Sequence, residues 1–310
     1  INIEDVTAAV RDEFEDQHVE TVEEVLVELN QLVGLAEIKQ NITTLINFIE
    51  TRQRLIANGL EADEITLHCV FFGPPGTGKT TVARLLGRFY KALGLLPKGQ
   101  LVEATRADLV AEFVGQTAAK TNAVIDSALY GVLFIDEAYS LSASRGQNDF
   151  GAEAITELVK RMDDERNKLA VVVAGYTEDM QTFIQSNSGL ESRFTNYFFF
   201  KDYTPAELTE IFREKAGRRK FEISDDGLKL AGEFFTKLYN EKSRSFGNAR
   251  MVRNFYEKLM KAHSNRMAGL PHANRQELIT YTAEDIEEAI RTLTSIIPAG
   301  QKNERRPIGY

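Results

Sequence analysis

The chain has 310 residues, 43% hydrophobic and 27% charged, enough to bury one large and one smaller core, so two domains are expected. Its net charge of -9 resides entirely in residues 1–29, where ten acidic side chains accompany one basic residue, Arg11; the remaining 281 residues carry 36 of each sign. That neutral body disfavours nucleic acid as a partner, the dispersed seven prolines and 21 glycines disfavour a low-complexity chain, and the lack of any run of about 18 apolar residues disfavours membrane insertion.

Residues 1–30 read as an acidic helical arm, with Val22, Val25, Leu26 and Leu29 at three-to-four spacing among glutamates. A solvated helical face accounts for its charge, and a docking element is the alternative. Because the chain begins at Ile1 rather than Met, either a trimmed chain or a fragment of a longer protein is expected. A second helix spans 35–58, with Leu35, Ile38, Ile42, Leu45, Ile46 and Ile49 on one face and Asn58-Gly59 as its stop. From Leu67 short apolar runs alternate with helical patterns: 67–72 and a helix from Lys79, 101–104 and a helix near Asp108, 132–135 and a helix near Gly151, then 169–174 and 197–200. Such alternation predicts an α/β unit whose parallel sheet is covered on both faces. The lone cysteine, Cys69, falls in the first of these runs as a small packing thiol, which suits a reducing compartment and a cytoplasmic location. At 204–207, Thr204 as N-cap, Pro205 at the first helical position and Glu207 at the third predict a new helix start, and from there to about 295 the pattern reads as helical only. The expected domains are therefore 31–202 and 203–295, followed by a tail over 296–310 that includes Lys302, Arg305 and Arg306.

The strongest motif is Gly73-Pro74-Pro75-Gly76-Thr77-Gly78-Lys79-Thr80, followed by Thr81, a full G-x-x-x-x-G-K-[ST] match with a strand before it and a helix after it. Glycines let the backbone curl so that its N–H groups and the helix N-terminus face an anion, while Lys79 reaches the outer phosphates and the Thr80 hydroxyl is suited to Mg²⁺. About 56 residues later, the apolar run Gly131-Val132-Leu133-Phe134-Ile135 ends on Asp136-Glu137. Beside a phosphate loop, Asp136 is a Mg²⁺ ligand candidate and Glu137 can orient and polarise an attacking water; without that context the pair reads as a helix cap. Between them, Phe113-Val114-Gly115 interrupts a helical stretch, and Phe113 on its own reads as core. Arg193 stands just before the fifth strand, as a surface ion-pair partner or as a cation for phosphoryl transfer. Arg250 and Arg253 lie three apart on one helix face, consistent with a solvated basic face or with contact to an anion.

These residues resemble the AAA+ superfamily and, within it, the CbbX and stage V sporulation protein K group, which includes ATPases of type VII secretion. The phrases carrying the likeness are Val33-Gly34-Leu35 with Lys39, Leu67-His68, Phe113-Val114-Gly115-Gln116-Thr117, Phe134-Ile135-Asp136-Glu137-Ala138-Tyr139, Ala174-Gly175-Tyr176 and Phe246-Gly247-Asn248-Ala249-Arg250, over residues 30–295. The resemblance implies a five-stranded parallel sheet of order 5-1-4-3-2 with a helical lid, ATP and Mg²⁺ as cofactors, and a hexameric ring that remodels or threads a protein client such as Rubisco or a sporulation or secretion factor. It further implies Arg193 as an arginine finger acting in trans, Arg250 as the lid sensor, Phe113 with Val114 and Gly115 as a pore loop, and Val33-Gly34 beside the adenine. Where many AAA+ proteins place an Asn as first sensor, this chain has Tyr176 and Thr177. The competing expectation is a nucleotide-dependent assembly switch with incidental ATPase activity.

Overall fold

In a computed structural model the chain is described over residues 20–63, 65–142, 149–244 and 246–296, so most of the acidic arm and nearly all of the 296–310 tail lie outside the described residues. The described residues fall into two compact units, one of 20–72 with 79–199 and one of 73–78 with 200–296.

In the first unit, helix α1 (Val22–Gln31) starts from a capping box in which Thr21 Oγ1 accepts from the Glu24 amide at 3.2 Å and the Thr21 amide donates to Glu24 at 2.9 Å. It buries Val25 and Leu29. The acidic face next to it is not wholly solvated: Glu20 and Glu28 both pair with Arg88, the latter at 2.6 Å. Gly34 (φ 64°) and Leu35 (φ 58°) then turn the backbone in two consecutive left-handed steps, the second of which costs a leucine roughly 1–2 kcal/mol. Lys39 spans the turn, donating to the carbonyls of Asn30 at 3.0 Å and Leu32 at 2.5 Å near the end of α1. Helix α2 (Ala36–Ala57) buries Ile38, Ile42, Leu45, Ile46 and Ile49 on the expected face.

Five parallel strands follow: β1 (Cys69–Phe72), β2 (Leu101–Ala104), β3 (Gly131–Ile135), β4 (Leu169–Gly175) and β5 (Asn196–Phe199). Their order, β2-β3-β4-β1-β5, is the expected 5-1-4-3-2 read from the other edge. The central strands β1, β3 and β4 are buried throughout, as unbroken apolar runs covered on both faces require. Helices α3 (Lys79–Ala92), α4 (Arg106–Leu109), α5 (Thr117–Ala128), α6 (Gly151–Asp164), α7 (Thr177–Gln185) and α8 (Ser188–Arg193) connect them. Cys69 is fully buried, and burial pushes its thiol up to about 12, so it acts as packing. His68 accepts from the Val171 amide at 3.0 Å, and burial lowers it to about 4, holding the imidazole neutral as a cross-strand link.

The second unit contains α9 (Pro205–Gly217), begun by the predicted Thr204/Glu207 capping box, with α10 (Asp225–Asn240), α11 (Ala249–Ala268), α12 (Arg275–Ile279) and α13 (Ala283–Ile296). Phe212, Phe235 and Phe255 form its aromatic centre, with ring centroids 5.3–5.8 Å apart. Its sequence is not helical only: β6 (Glu222–Ile223) pairs in parallel with β7 (Thr280–Tyr281). Two-residue strands are too short to show an alternating pattern; their pairing depends on tertiary packing, including Phe221 stacked on Tyr281 at 4.9 Å. Buried Asp285 accepts from Arg266 at 2.8 Å and from the Thr282 amide at 3.0 Å, and contacts His263 at 3.2 Å, which compensates the buried charge.

Candidate nucleotide site

The loop over residues 73–78 is specified by backbone approach as much as by composition. Gly73, Gly76 and Gly78 all have positive φ, at 146°, 74° and 92°. A Cβ on Gly73 would stand 2.3 Å from the Phe200 carbonyl oxygen, and one on Gly76 would stand 2.1 Å from that of Gly247, so neither position admits a side chain. Four successive carbonyls all have donors: Pro74 O accepts from Thr77 Oγ1 at 2.9 Å, Pro75 O from Asn248 Nδ2 at 3.2 Å, Gly76 O from the Ala249 amide at 3.1 Å and Thr77 O from the Tyr203 hydroxyl at 3.2 Å. A planar trans peptide sets each N–H antiparallel to the preceding C=O, so the amides of Gly76, Thr77 and Gly78 each point away from the donor that holds the carbonyl of their peptide. Such an array fits an anionic phosphate chain. The loop continues into α3, whose first three residues are Lys79, Thr80 and Thr81; Lys79 is largely buried and Thr81 is exposed.

In the first unit, Asp136 and Glu137 leave the C-terminal end of β3. The Asp136 amide donates to Ala104 O at 3.0 Å, and Asp136 Oδ1 accepts from the Glu137 amide at 3.0 Å. Glu137 adopts φ 49°, ψ 42°, a left-handed conformation that is unfavourable for a non-glycine residue and turns the chain into the 3-10 segment Ala138–Leu141. Both carboxylates open into a cavity of about 560 Å³ that is also lined by Thr105, Arg106, Val110, Glu112 and Lys120. Arg106 reaches Ser140 O at 2.7 Å and Asp149 at 2.6 Å, bracing the segment after Glu137. Tyr139 packs on Gly175, where a Cβ would approach its ring to 2.7 Å; burial and then the Glu137 carboxylate push its phenol up to about 12. Tyr176 is the N-cap residue of α7 with its ring 6.4 Å from that of Tyr139, and Thr177 begins that helix, so both sensor candidates lie beside the turn that carries Glu137.

The two candidate phosphate-facing arginines differ in their surroundings. Arg193 ends α8 and is engaged within its own chain, donating to Asp163 through Nε at 3.0 Å and through a second nitrogen, and to the Gly189 carbonyl at 2.8 Å. The Arg193 guanidinium holds the Asp163 carboxyl below the usual carboxylate range. Arg250, in the first turn of α11, is exposed, as is Arg253. Phe113 and Val114 lie in the loop between α4 and α5, with 66% and 79% of their surfaces exposed, so Phe113 is not core. Gly115 follows at φ 77°, and a Cβ placed there would have no neighbour within 4 Å. Val33 and Gly34 are half-buried in the α1–α2 turn.

Residues 69–202 match the family described as ATPase family associated with various cellular activities (AAA), and residues 204–296 match the AAA lid domain. The chain belongs to the AAA family of ATPases. Stage V sporulation protein K of Bacillus subtilis is 40% identical over 266 residues, covering 86% of this chain and 82% of that protein. ESX-3 secretion system protein EccA3 of Mycobacterium tuberculosis is 40% identical over 286 residues, and the chain spans under half, 45%, of its length. A chloroplastic ribulose bisphosphate carboxylase/oxygenase activase of Cyanidioschyzon merolae is 38% identical, covering 86% of this chain and 91% of the relative. These relatives place this AAA chain in the CbbX and stage V sporulation protein K group. Among solved structures, a Thermotoga maritima RuvB variant superposes with a TM-score of 0.57 at 19% identity, covering 86% of this chain and 72% of that one, and the FIGL-1 AAA domain with 0.55 at 17%, covering 85% and 82%. At such identities they show the AAA fold with its lid. Among the described residues, no helix is long and apolar enough to cross a membrane.

Sequence reasoning overlooked Asn248, Tyr203 and Asp163 as individual residues. For Asn248 a signal existed: Asn is enriched among the few non-glycine residues that adopt positive φ, and here φ is 47°. Nothing local in the sequence linked Tyr203 to Thr77 or Asp163 to Arg193.

Proposed function

We propose that this AAA chain is the motor of a homo-hexameric, ATP-hydrolysing ring that remodels or threads a protein client, acting in the cytoplasm without nucleic acid or membrane insertion. The observation that carries the reading is the loop bearing Phe113 and Val114: two large apolar side chains stand in solvent, and Val110 and Glu112 of the same segment line the cavity that receives Asp136 and Glu137. A change at the hydrolytic carboxylates therefore has a short mechanical route to an apolar grip.

The chain's residues divide the chemistry. The amides of Gly76, Thr77 and Gly78, with Gly73, Pro74 and Pro75 shaping the loop, would hold the phosphate chain together with Lys79 and Thr81. Val33 and Gly34 would border the base, and Arg250 would contact the outer phosphate from the lid. Thr80 and Asp136 supply one hydroxyl and one carboxylate, a donor set that suits Mg²⁺ because this ion keeps waters and shares phosphate oxygens; among the described residues there is no three-residue acidic, His or Cys cluster to act as a self-sufficient cage. When bound, Mg²⁺ would neutralise charge on the phosphate oxygens. Glu137 orients water and accepts its proton, with Tyr176 or Thr177 sensing the outer phosphate. Arg193 would act across a subunit boundary after exchanging Asp163 for phosphate. The domain division that accompanies this reading is an arm to 30, a nucleotide domain to 202, a lid to 295 and a tail. Rubisco, a sporulation factor and a secretion factor are the client classes suggested by the relatives' names.

ATP turnover measured against protein concentration, with mass by light scattering, tests the reading for wild type, Glu137→Gln and Arg193→Ala. Turnover per subunit should rise as hexamers form, Glu137→Gln should trap an inactive ATP-bound ring, and Arg193→Ala should assemble but lose about 10³–10⁵ in rate. A flat rate from a persistent monomer would instead support an assembly switch with incidental turnover.

A further inference from the structure

We propose that Asn248 is a positioning residue of the nucleotide site, holding the phosphate loop in its binding shape from the carbonyl side. The inference rests on the reading of residues 73–80 as a nucleotide site and adds a residue that does not touch the nucleotide. Asn248 is fully buried and its side chain meets four backbone or carboxylate partners. Its Oδ1 accepts from the Tyr203 amide at 2.9 Å, while Nδ2 faces Pro75 O at 3.2 Å, Asp202 Oδ1 at 2.9 Å and Phe246 O at 3.2 Å. One donor and three acceptors fix the amide's orientation, and only an amide satisfies both sides. Asp202 is itself anchored by Lys242 at 2.8 Å, so the acceptor cluster is tied back to α10's C-terminal end.

The backbone at Asn248 contributes as well. Its φ of 47° and ψ of -129° swing the chain so that the next amide, that of Ala249, donates to Gly76 O at 3.1 Å. The same turn brings Gly247 O against Gly76, where no Cβ fits. Asn248 Nδ2, Ala249 N and the Tyr203 hydroxyl thereby hold three successive carbonyls, those of Pro75, Gly76 and Thr77. Because each peptide is planar, the three donors that hold these carbonyls also aim the amides of Gly76, Thr77 and Gly78 toward the phosphates. Without the Asn248 amide the part-buried Pro75 carbonyl loses its protein partner, and the Pro75–Gly76 peptide is free to rotate its N–H away from a bound anion. Arg250 lies two residues further on, so the turn that shapes the loop also sets where the lid arginine begins.

The test is calorimetric titration of ADP and AMP into wild type, Lys79→Ala, Asn248→Gly, Asn248→Asp and Tyr203→Phe, with melting temperatures of the nucleotide-free proteins. Glycine accepts the backbone conformation of Asn248, so Asn248→Gly removes the side chain's hydrogen bonds without adding backbone strain, while Asn248→Asp sets a carboxylate oxygen against three acceptors. We expect ADP to bind about 10- to 100-fold more weakly to Asn248→Gly and at least as weakly to Asn248→Asp, in keeping with a part-buried carbonyl that has lost its partner. The loss for AMP should be smaller, because fewer phosphates meet the loop amides, and Tyr203→Phe should weaken ADP by a few-fold. Wild-type ADP affinity in Asn248→Gly overturns the proposal, as does an equal loss for ADP and AMP. Should Asn248→Gly fail to fold, Asn248→Asp decides: wild-type ADP affinity there overturns the proposal and weakened ADP binding supports it. If wild type itself binds no ADP, or binds it no better than Lys79→Ala, the nucleotide-site reading fails first.

Discussion

The loop over 73–78 and the loop over 110–116 each place a glycine at positive φ near residues expected to serve ATP-driven work, yet they are built in opposite ways. In the first, every carbonyl from Pro74 to Thr77 has a donor, and Gly76 lies against the Gly247 backbone with no room for a methyl group. In the second, Phe113 and Val114 project into solvent and nothing lies within 4 Å of a Cβ placed on Gly115. One loop is pre-organised so that its amides can bind without rearrangement; the other leaves its side chains available to a partner. On the proposed reading, rigidity accompanies ion binding, and exposure accompanies gripping.

The contrast is most severely tested at Gly76. Gly76→Ala must relieve a 2.1 Å approach to backbone at a left-handed residue, so it should cost about 3 kcal/mol or more and abolish ADP binding, read by thermal melting and titration. Next comes Glu137→Gln, which should leave the first loop binding ATP while turnover falls about 10²–10⁴-fold in a phosphate-release assay. Retained turnover would detach the second loop's cavity from hydrolysis. Gly115→Ala should cost no more than about 1–2 kcal/mol, the left-handed penalty alone, in the same melting experiment. Phe113→Ala should shift stability by less than about 0.5 kcal/mol, as an exposed side chain does, while abolishing any stimulation of ATP turnover by a polypeptide client. A large stability loss there would return Phe113 to the core.

Much of the fold was legible because its signals are local. The apolar runs at 69–72, 131–135 and 169–175 are long enough to announce buried parallel strands, and the Thr204-Pro205-Glu207 start was confirmed as a capping box. The phosphate loop was legible because its spacing encodes its own backbone path. Three features were not. The β6–β7 pair joins residues 222–223 to 280–281 with too few residues for a periodic pattern; the charge on Glu20 and Glu28 looked solvated until Arg88 came into reach; and Phe113 read alone as core.

The sequence by itself determined the class of site, the strand alternation and the residues at the ends of β1 and β3, because glycine conformational freedom, Lys and Thr chemistry and hydrophobic periodicity act over a few neighbouring positions. Only the tertiary structure decided which side of the phosphate loop is held and by what. Asn248 meets Pro75 across 173 residues of chain, and Tyr203 meets Thr77 across 126. Partners so distant are set by the packing of whole elements, whose burial fixes which polar groups must satisfy one another, and no local pattern carries that information.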